Sequence, residues 1–163
     1  MKVAIVMGSD SDLPVLEPAL KTLEEFGVAA EVVVASAHRT PQKVHDFVTT
    51  AADRGVGVFI AAAGAAAHLP GVVASFTTLP VIGVPVNSTS LGGMDALLSI
   101  VQMPAGIPVA TMAINGAKNA ALFAVQILGT AEPALREKLA AYRRTMAAEV
   151  EQKAAKVTAS LNK

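Results

Sequence analysis

The chain has 163 residues, enough for one domain with a sizeable core. Lys plus Arg equals Asp plus Glu at 13 each, so there is no basic excess to draw nucleic acid or an anionic membrane surface. The absence of cysteine excludes disulfides, thiol chemistry and cysteine metal sites.

Lys2 to Met7 is an apolar run with the character of a first strand. Gly8-Ser9-Asp10-Ser11-Asp12 breaks it too soon for a secretory signal, so a cytoplasmic protein is expected. Leu13 to Phe26 has helical spacing, with Leu13, Leu16, Leu20 and Leu23 on one face and Gly27 as its stop. Ala30 to Ala35 reads as a buried second strand and Gln42 to Arg54 as a second helix. Val56 to Ala62 is the third strand, Gly64 to His68 a loop of small residues, and Leu69 to Phe76 a short helix with Pro70 in its first turn. Val81 to Val86 is the fourth strand, Asn87 to Gly93 a turn-rich loop, and Met94 to Gln102 a helix. Ile107 to Ala113 is the fifth strand, with Pro108 at its start. Asn115 to Leu128 is an Ala-rich helix, and Glu132 to about Ala159 a longer last one, with Leu135, Leu139, Tyr142 and Met146 on one stripe.

Strands alternating with helices predict an α/β fold, a parallel sheet covered on both faces. Five such strands predict the flavodoxin-like three-layer sandwich, sheet order 2-1-3-4-5, with one extra C-terminal helix. The whole chain reads as a single catalytic domain, with a core over 2–129. Between Gly55 and Ala131 the only formally charged residues are Asp95 and Lys118. Membrane insertion is a poor explanation, because Pro80, Pro85, Pro104 and Pro108 interrupt the apolar runs. Burial of these helices against other subunits is the better one.

In this topology ligands bind at the carboxyl ends of the strands, where strands one and three diverge. Three stretches meet there. Ser36-Ala37-His38-Arg39-Thr40-Pro41 joins strand two to helix two. Imidazole changes charge near neutral pH, and guanidinium clamps phosphate or carboxylate. A plain helix start, with Thr40 as cap and Pro41 in the first turn, accounts for Thr40 and Pro41 but not for His38 and Arg39. The Gly8-to-Asp12 loop offers backbone N–H groups to an anion and carboxylates that suit sugar hydroxyls. No Gly-Lys-Ser/Thr follows, so it is no Walker loop, and Asp10 reads as a cap of the first helix. The small-residue loop Ala62 to Ala67 permits close backbone approach to a ligand, or simply tight packing. His68 reads as structural, its ring nitrogens satisfied by backbone, and His45 as part of a solvated helix face. The three histidines lack metal-ligand spacing, so no metal site is expected. No Gly-x-Ser-x-Gly elbow occurs. A phosphoryl-receiver switch would need an acidic residue where Ala61 and Ala62 stand.

Met7-Gly8-Ser9-Asp10-Ser11-Asp12, Ser36-Ala37-His38-Arg39-Thr40-Pro41, Ala66-Ala67-His68-Leu69-Pro70-Gly71 and Leu97-Leu98-Ser99-Ile100-Val101-Gln102-Met103-Pro104 occur in this order. Together they resemble the N(5)-carboxyaminoimidazole ribonucleotide mutases of bacterial purine biosynthesis, over Val3 to about Leu128. The resemblance implies an isomerase that moves a carboxylate from the exocyclic nitrogen to C4 of an aminoimidazole ribonucleotide, with no metal and no organic cofactor. It implies His38 as general acid and base, Ser9 and Arg39 on the phosphate, and Asp12 on the ribose. Ser11, Ser36, Gly64, Ala65, His68 and Leu69 complete the implied substrate-binding set. It also implies a homo-octamer.

The chain departs from the usual pattern of that family at Ala62, Ala65 and Asn115, where Gly is common. It departs again at Leu13 for Trp and Val72 for Met. Ala62 and Ala65 are expected in the pocket loop, with an effect on efficiency. The alternatives are a carboxylase using free CO2, and a flavin- or nucleotide-binding module on the same fold.

Overall fold

The structure is a computed structural model and describes residues 1–161. Five parallel strands, β1 (Lys2–Met7), β2 (Ala30–Val34), β3 (Val56–Gly64), β4 (Val81–Val86) and β5 (Ala110–Thr111), form one sheet of order β2-β1-β3-β4-β5. Six α-helices accompany them: α1 (Leu13–Phe26), α2 (Pro41–Thr49), α3 (Leu69–Ser75), α4 (Met94–Val101), α5 (Ala117–Gly129) and α6 (Pro133–Leu161). This is the flavodoxin-like order expected from the alternating pattern.

Strand periodicity sorts the apolar residues into two cores. Val3, Ile5 and Met7 of β1 face one way, packing with Leu16 and Leu23 of α1 and Ala121 and Leu128 of α5. Ala4 and Val6 face the other way, with Val44 of α2, Val73 of α3 and Ile100 of α4. Burial on both faces explains why the central strands are continuously apolar rather than alternating.

β1 and α1 have the expected limits. Gly27 ends α1 in the left-handed region (φ 71°), its N–H directed to the carbonyls of Glu24 and Leu23. Elsewhere tertiary pairing moves the boundaries. β2 is an edge strand and not a buried one: Val32 and Val34 are each 44% exposed. Its Glu31 is tied to Lys2 at 2.8 Å and Arg54 at 2.9 Å. Those two cations, Lys2 first, hold the Glu31 carboxyl below its ordinary pKa. A charged residue set among the valines also discourages edge-to-edge pairing.

Helix α2 stops at Thr49, short of Arg54, because the chain there breaks into turns that end at Gly55 (φ 82°). Arg54 is held back onto the carbonyl of Phe47 at 3.0 Å. β3 runs past Ala62: Ala63 and Gly64 pair with Pro85 and Val86 of β4. Ala62 therefore lies in the strand, fully buried between Met7 and Val84, and not in a loop. β5 shrinks from Ile107–Ala113 to Ala110–Thr111, with Pro108 outside it, since proline lacks the N–H a ladder needs.

Helix α5 owes much of its missing charge to its own chain. Ala117, Ala120, Ala121, Ala124, Val125 and Leu128 are buried, largely against α1 and α6. That face is buried within the chain itself, while Leu122, Phe123, Gln126 and Ile127 are half-buried. Helix α6 uses three of its four expected stripe residues: Leu135 is buried, and Leu139 and Tyr142 lie against the core, but Met146 is exposed; Lys138 donates to the Phe26 carbonyl at 2.7 Å. Its second half is exposed throughout. Among the described residues, no helix is long and apolar enough to cross a membrane.

Candidate active site

The carboxyl ends of β1, β2, β3 and β4 surround a cavity of about 230 Å³. Each strand contributes the loop that follows it, as expected at a topological switch point.

From β2 comes the turn Ser36 to Thr40. The Ser36 hydroxyl accepts the N–H groups of His38 at 3.3 Å and Arg39 at 3.2 Å. Thr40 Oγ1 accepts the Ser36 N–H at 2.8 Å and reaches back to the Ser36 carbonyl at 3.3 Å. The Thr40 side chain thus closes the turn and does not cap α2, whereas Pro41 does take the first turn of that helix. The result is a rigid loop that presents His38 and Arg39 outward. Arg39 is fixed again through Nη2, which donates to the Gly8 carbonyl at 2.8 Å.

From β1 comes Gly8 to Asp12, whose last three residues form a 3-10 turn. Ser9 is its cap, its hydroxyl accepting the Ser11 N–H at 3.3 Å. Asp10 Oδ1 takes the same N–H at 3.1 Å, so Asp10 serves this turn and not α1. Asp12 stands at the start of α1 without capping it, and is only 6% exposed. Burial is the main cause raising its pKa, opposed by the backbone N–H groups of Ser9 and Gly8 and by the Arg39 charge. A desolvated carboxylate at a pocket wall gains from hydroxyl donors, and a sugar diol supplies them.

From β3 come Ala63, Gly64, Ala66 and Leu69. His68 does not line the cavity, and its ring is not satisfied by backbone as expected. Its Nδ1 lies 2.8 Å from Nε2 of His38, with the two rings edge to face at 4.9 Å. One proton occupies that bond, so one ring donates while the other accepts. Two imidazolium rings could not share it. His45 is remote from this pair, bonded to Asp46 at 3.0 Å on a half-exposed helix face, as expected.

Eight of the residues singled out by sequence line the cavity: Ser9, Ser11, Asp12, Ser36, His38, Arg39, Gly64 and Leu69. Ala65 does not line it. Gly8, Ala63 and Ala66 also line it, as parts of the loops expected at the site, whereas sequence reasoning assigned no role to Ala37 or Ser88, which line it too. Ser88 is the second residue after β4, and the strand-end rule that located the other loops would have reached it. Among the described residues, no group of three or more His, Asp or Glu side chains could hold a metal ion.

Residues 2–149 match the family described as AIR carboxylase. The chain belongs to the AIR carboxylase family. N5-carboxyaminoimidazole ribonucleotide mutase of Pyrococcus horikoshii is 59% identical over 152 residues, 93% of this chain and 86% of that protein. The mutase of the same name from Thermotoga maritima is 55% identical over 153 residues, covering 94% and 90%. That of Mycobacterium tuberculosis is 56% identical over 146 residues, covering 90% and 84%. In three dimensions the chain is similar to Treponema denticola PurE, with TM-score 0.84 and 29% identity over 94% of this chain and 96% of that one.

Two departures from the pattern expected of the AIR carboxylase family acquire a physical meaning. Among the described residues, Ala65 (φ 52°) and Asn115 (φ 56°) are the non-glycine residues with positive φ. Alanine has no side-chain hydrogen bond to offset the clash of its Cβ there. Ala65→Gly is therefore expected to stabilise the fold by roughly 1 kcal/mol, and to raise turnover if the strain is felt in the site. Ala62→Gly would instead weaken a buried strand by about as much. Thermal unfolding and steady-state turnover of the two single variants check this. A lower Tm for Ala65→Gly would contradict it.

Proposed function

We propose that this chain is an N5-carboxyaminoimidazole ribonucleotide mutase of de novo purine biosynthesis. The carrying observation is a ring histidine, His38, braced by His68 beside the Arg39 anion clamp at the mouth of one cavity. The names of relatives at 55–60% identity support the same activity.

In this scheme His38, as imidazolium, protonates the exocyclic nitrogen while its bond to the carboxylate carbon breaks. CO2 and 5-aminoimidazole ribonucleotide result. C4 then attacks the held CO2, and neutral His38 removes the C4 proton, which restores the starting charge. Ser9, Ser11 and Arg39 hold the phosphate, and Asp12 the ribose. The small walls at Ala63, Gly64 and Ala66 leave room for CO2 while restricting water. Ser36 orders the loop, and Leu69 supplies an apolar contact. No metal or organic cofactor has a part in the scheme.

The test is conversion of N5-carboxyaminoimidazole ribonucleotide to the C4-carboxylated isomer, run beside 5-aminoimidazole ribonucleotide with dissolved CO2. Rearrangement of the first, without comparable use of the second, is the expected result. The reverse preference would make the chain a carboxylase. A yellow protein inert toward both would point to a flavin module.

The assembly we infer is a homo-octamer. Leu91 is 65% exposed, and Met94, Leu98 and Val101 on α4 are about half exposed, with Asp95 the one charged residue between Leu91 and Val101. Light scattering at micromolar concentration is expected to give the octamer mass, and a stable monomer would contradict it.

A further inference from the structure

The loop after β4 enters the cavity through Ser88, which the scheme above leaves unused. Its position is doubly determined. On one side it fills the space over Gly64: a Cβ built there would fall 2.0 Å from Ser88 Oγ and 3.2 Å from the Val86 carbonyl. Gly64 is thus the residue that lets the hydroxyl reach the pocket wall.

On the other side the loop is held by Asn115, at the turn between β5 and α5. The Asn115 N–H donates to the Pro85 carbonyl at 2.8 Å, and its side-chain Oδ1 accepts the Asn87 N–H at 2.9 Å. These two bonds straddle Val86, the last residue of β4. They add one more rung to the side of β4 that β5 leaves unpaired, with a side-chain oxygen in place of a backbone carbonyl. The chain therefore leaves β4 in a fixed direction, and Ser88 comes immediately after the tethered Asn87. Glycine would accept the positive φ of residue 115 more easily, yet could not supply the acceptor. Asparagine tolerates that conformation better than other side-chain-bearing residues.

The sheet order then says which part of a ligand Ser88 meets. Ser9 and Arg39 belong to the loops after β1 and β2, and Ser88 to the loop after β4, across β3. A ribonucleotide anchored by phosphate at the first pair extends its heterocycle toward the third loop and beyond. Resting on the functional reading above, we propose that Ser88 is a substrate-contacting residue that donates a hydrogen bond to the carboxylate of the aminoimidazole. Asn115 is the positioning residue that aims it.

The experiment compares two nucleotides on the intact protein: the C4-carboxylated aminoimidazole ribonucleotide and 5-aminoimidazole ribonucleotide, which lacks the carboxylate. Ser88→Ala is expected to weaken binding of the first about tenfold and to leave the second unchanged. Asn115→Gly should give part of the same selective loss, Asn115→Asp should restore it through its own Oδ, and the double variant Ser88→Ala with Asn115→Gly should bind no worse than Ser88→Ala alone. Equal weakening of both nucleotides, or no weakening, would overturn the contact. Additive losses would overturn the positioning role. A parent protein that binds neither nucleotide and catalyses no rearrangement overturns the functional reading along with this one. A parent that does both, beside an indistinguishable Ser88→Ala, overturns only this one.

Discussion

His38→Asn is expected to lower turnover by about 10²–10⁴-fold while substrate affinity stays within a few-fold of the parent. Asparagine keeps polarity and approximate size but has no group that exchanges a proton near neutral pH. Both halves of the proposed reaction need such a group, first to protonate the departing nitrogen and then to deprotonate C4. In the proposed scheme affinity rests on other residues: the phosphate on Ser9 and Arg39, the ribose on Asp12. The loop itself should survive, because it is built from Thr40 bonded to the Ser36 N–H and the Ser36 hydroxyl bonded to the backbone N–H of residue 38, none of which involves the ring. What the substitution does remove is the 2.8 Å bond to His68, so the second ring loses its partner at the same time. Steady-state turnover beside equilibrium binding of the substrate separates these effects. Near-parent turnover would remove His38 from the mechanism.

That bond also shows where sequence reasoning reached its limit. His38 was legible because it stood beside Arg39 on a predicted strand-to-helix turn. His68 stands thirty residues away among alanines, and nothing local says which ring it meets. The same division runs through the fold. β1 and α1 were legible to the residue because Gly8 and Gly27 punctuate them. Edge and centre were not: β1 has five apolar residues after Lys2 and β2 has four around Glu31, a small difference, and only the sheet order exposes Val32 and Val34. Ala62 reads both as the end of the third strand and as the start of the small-residue loop, because its composition matches the residues after it; the structure keeps it in the strand. Its pairing with Val84 depends on a partner more than twenty positions on. Ser88 carried no motif, since what brings it to the cavity is a glycine on β3 and an asparagine after β5.

Arg39→Ala is expected to weaken substrate binding by about 2–4 kcal/mol, or about 30- to 1000-fold, and to change turnover at saturation much less. A guanidinium already fixed by the Gly8 carbonyl has little conformational freedom left to lose when a phosphate arrives, which is why its removal should fall mostly on affinity. The loss has a second source. Arg39 is one of the influences that lower the pKa of Asp12, against the burial that raises it. Without that charge the balance moves further toward the protonated acid. A protonated Asp12 has less acceptor capacity for the ribose hydroxyls, so the variant's affinity should fall more steeply than the parent's as pH drops toward the carboxyl's raised pKa. Arg39→Lys keeps a positive charge but lacks the fork that grips Gly8 while still facing the cavity. It should recover the pH dependence more fully than the affinity. Binding measured across acidic to neutral pH for the parent and both variants tests the whole argument. If Arg39→Ala bound substrate like the parent at every pH, the phosphate would have to be placed elsewhere; if it lost affinity by the same factor at every pH, the coupling to Asp12 would be wrong while the clamp remained.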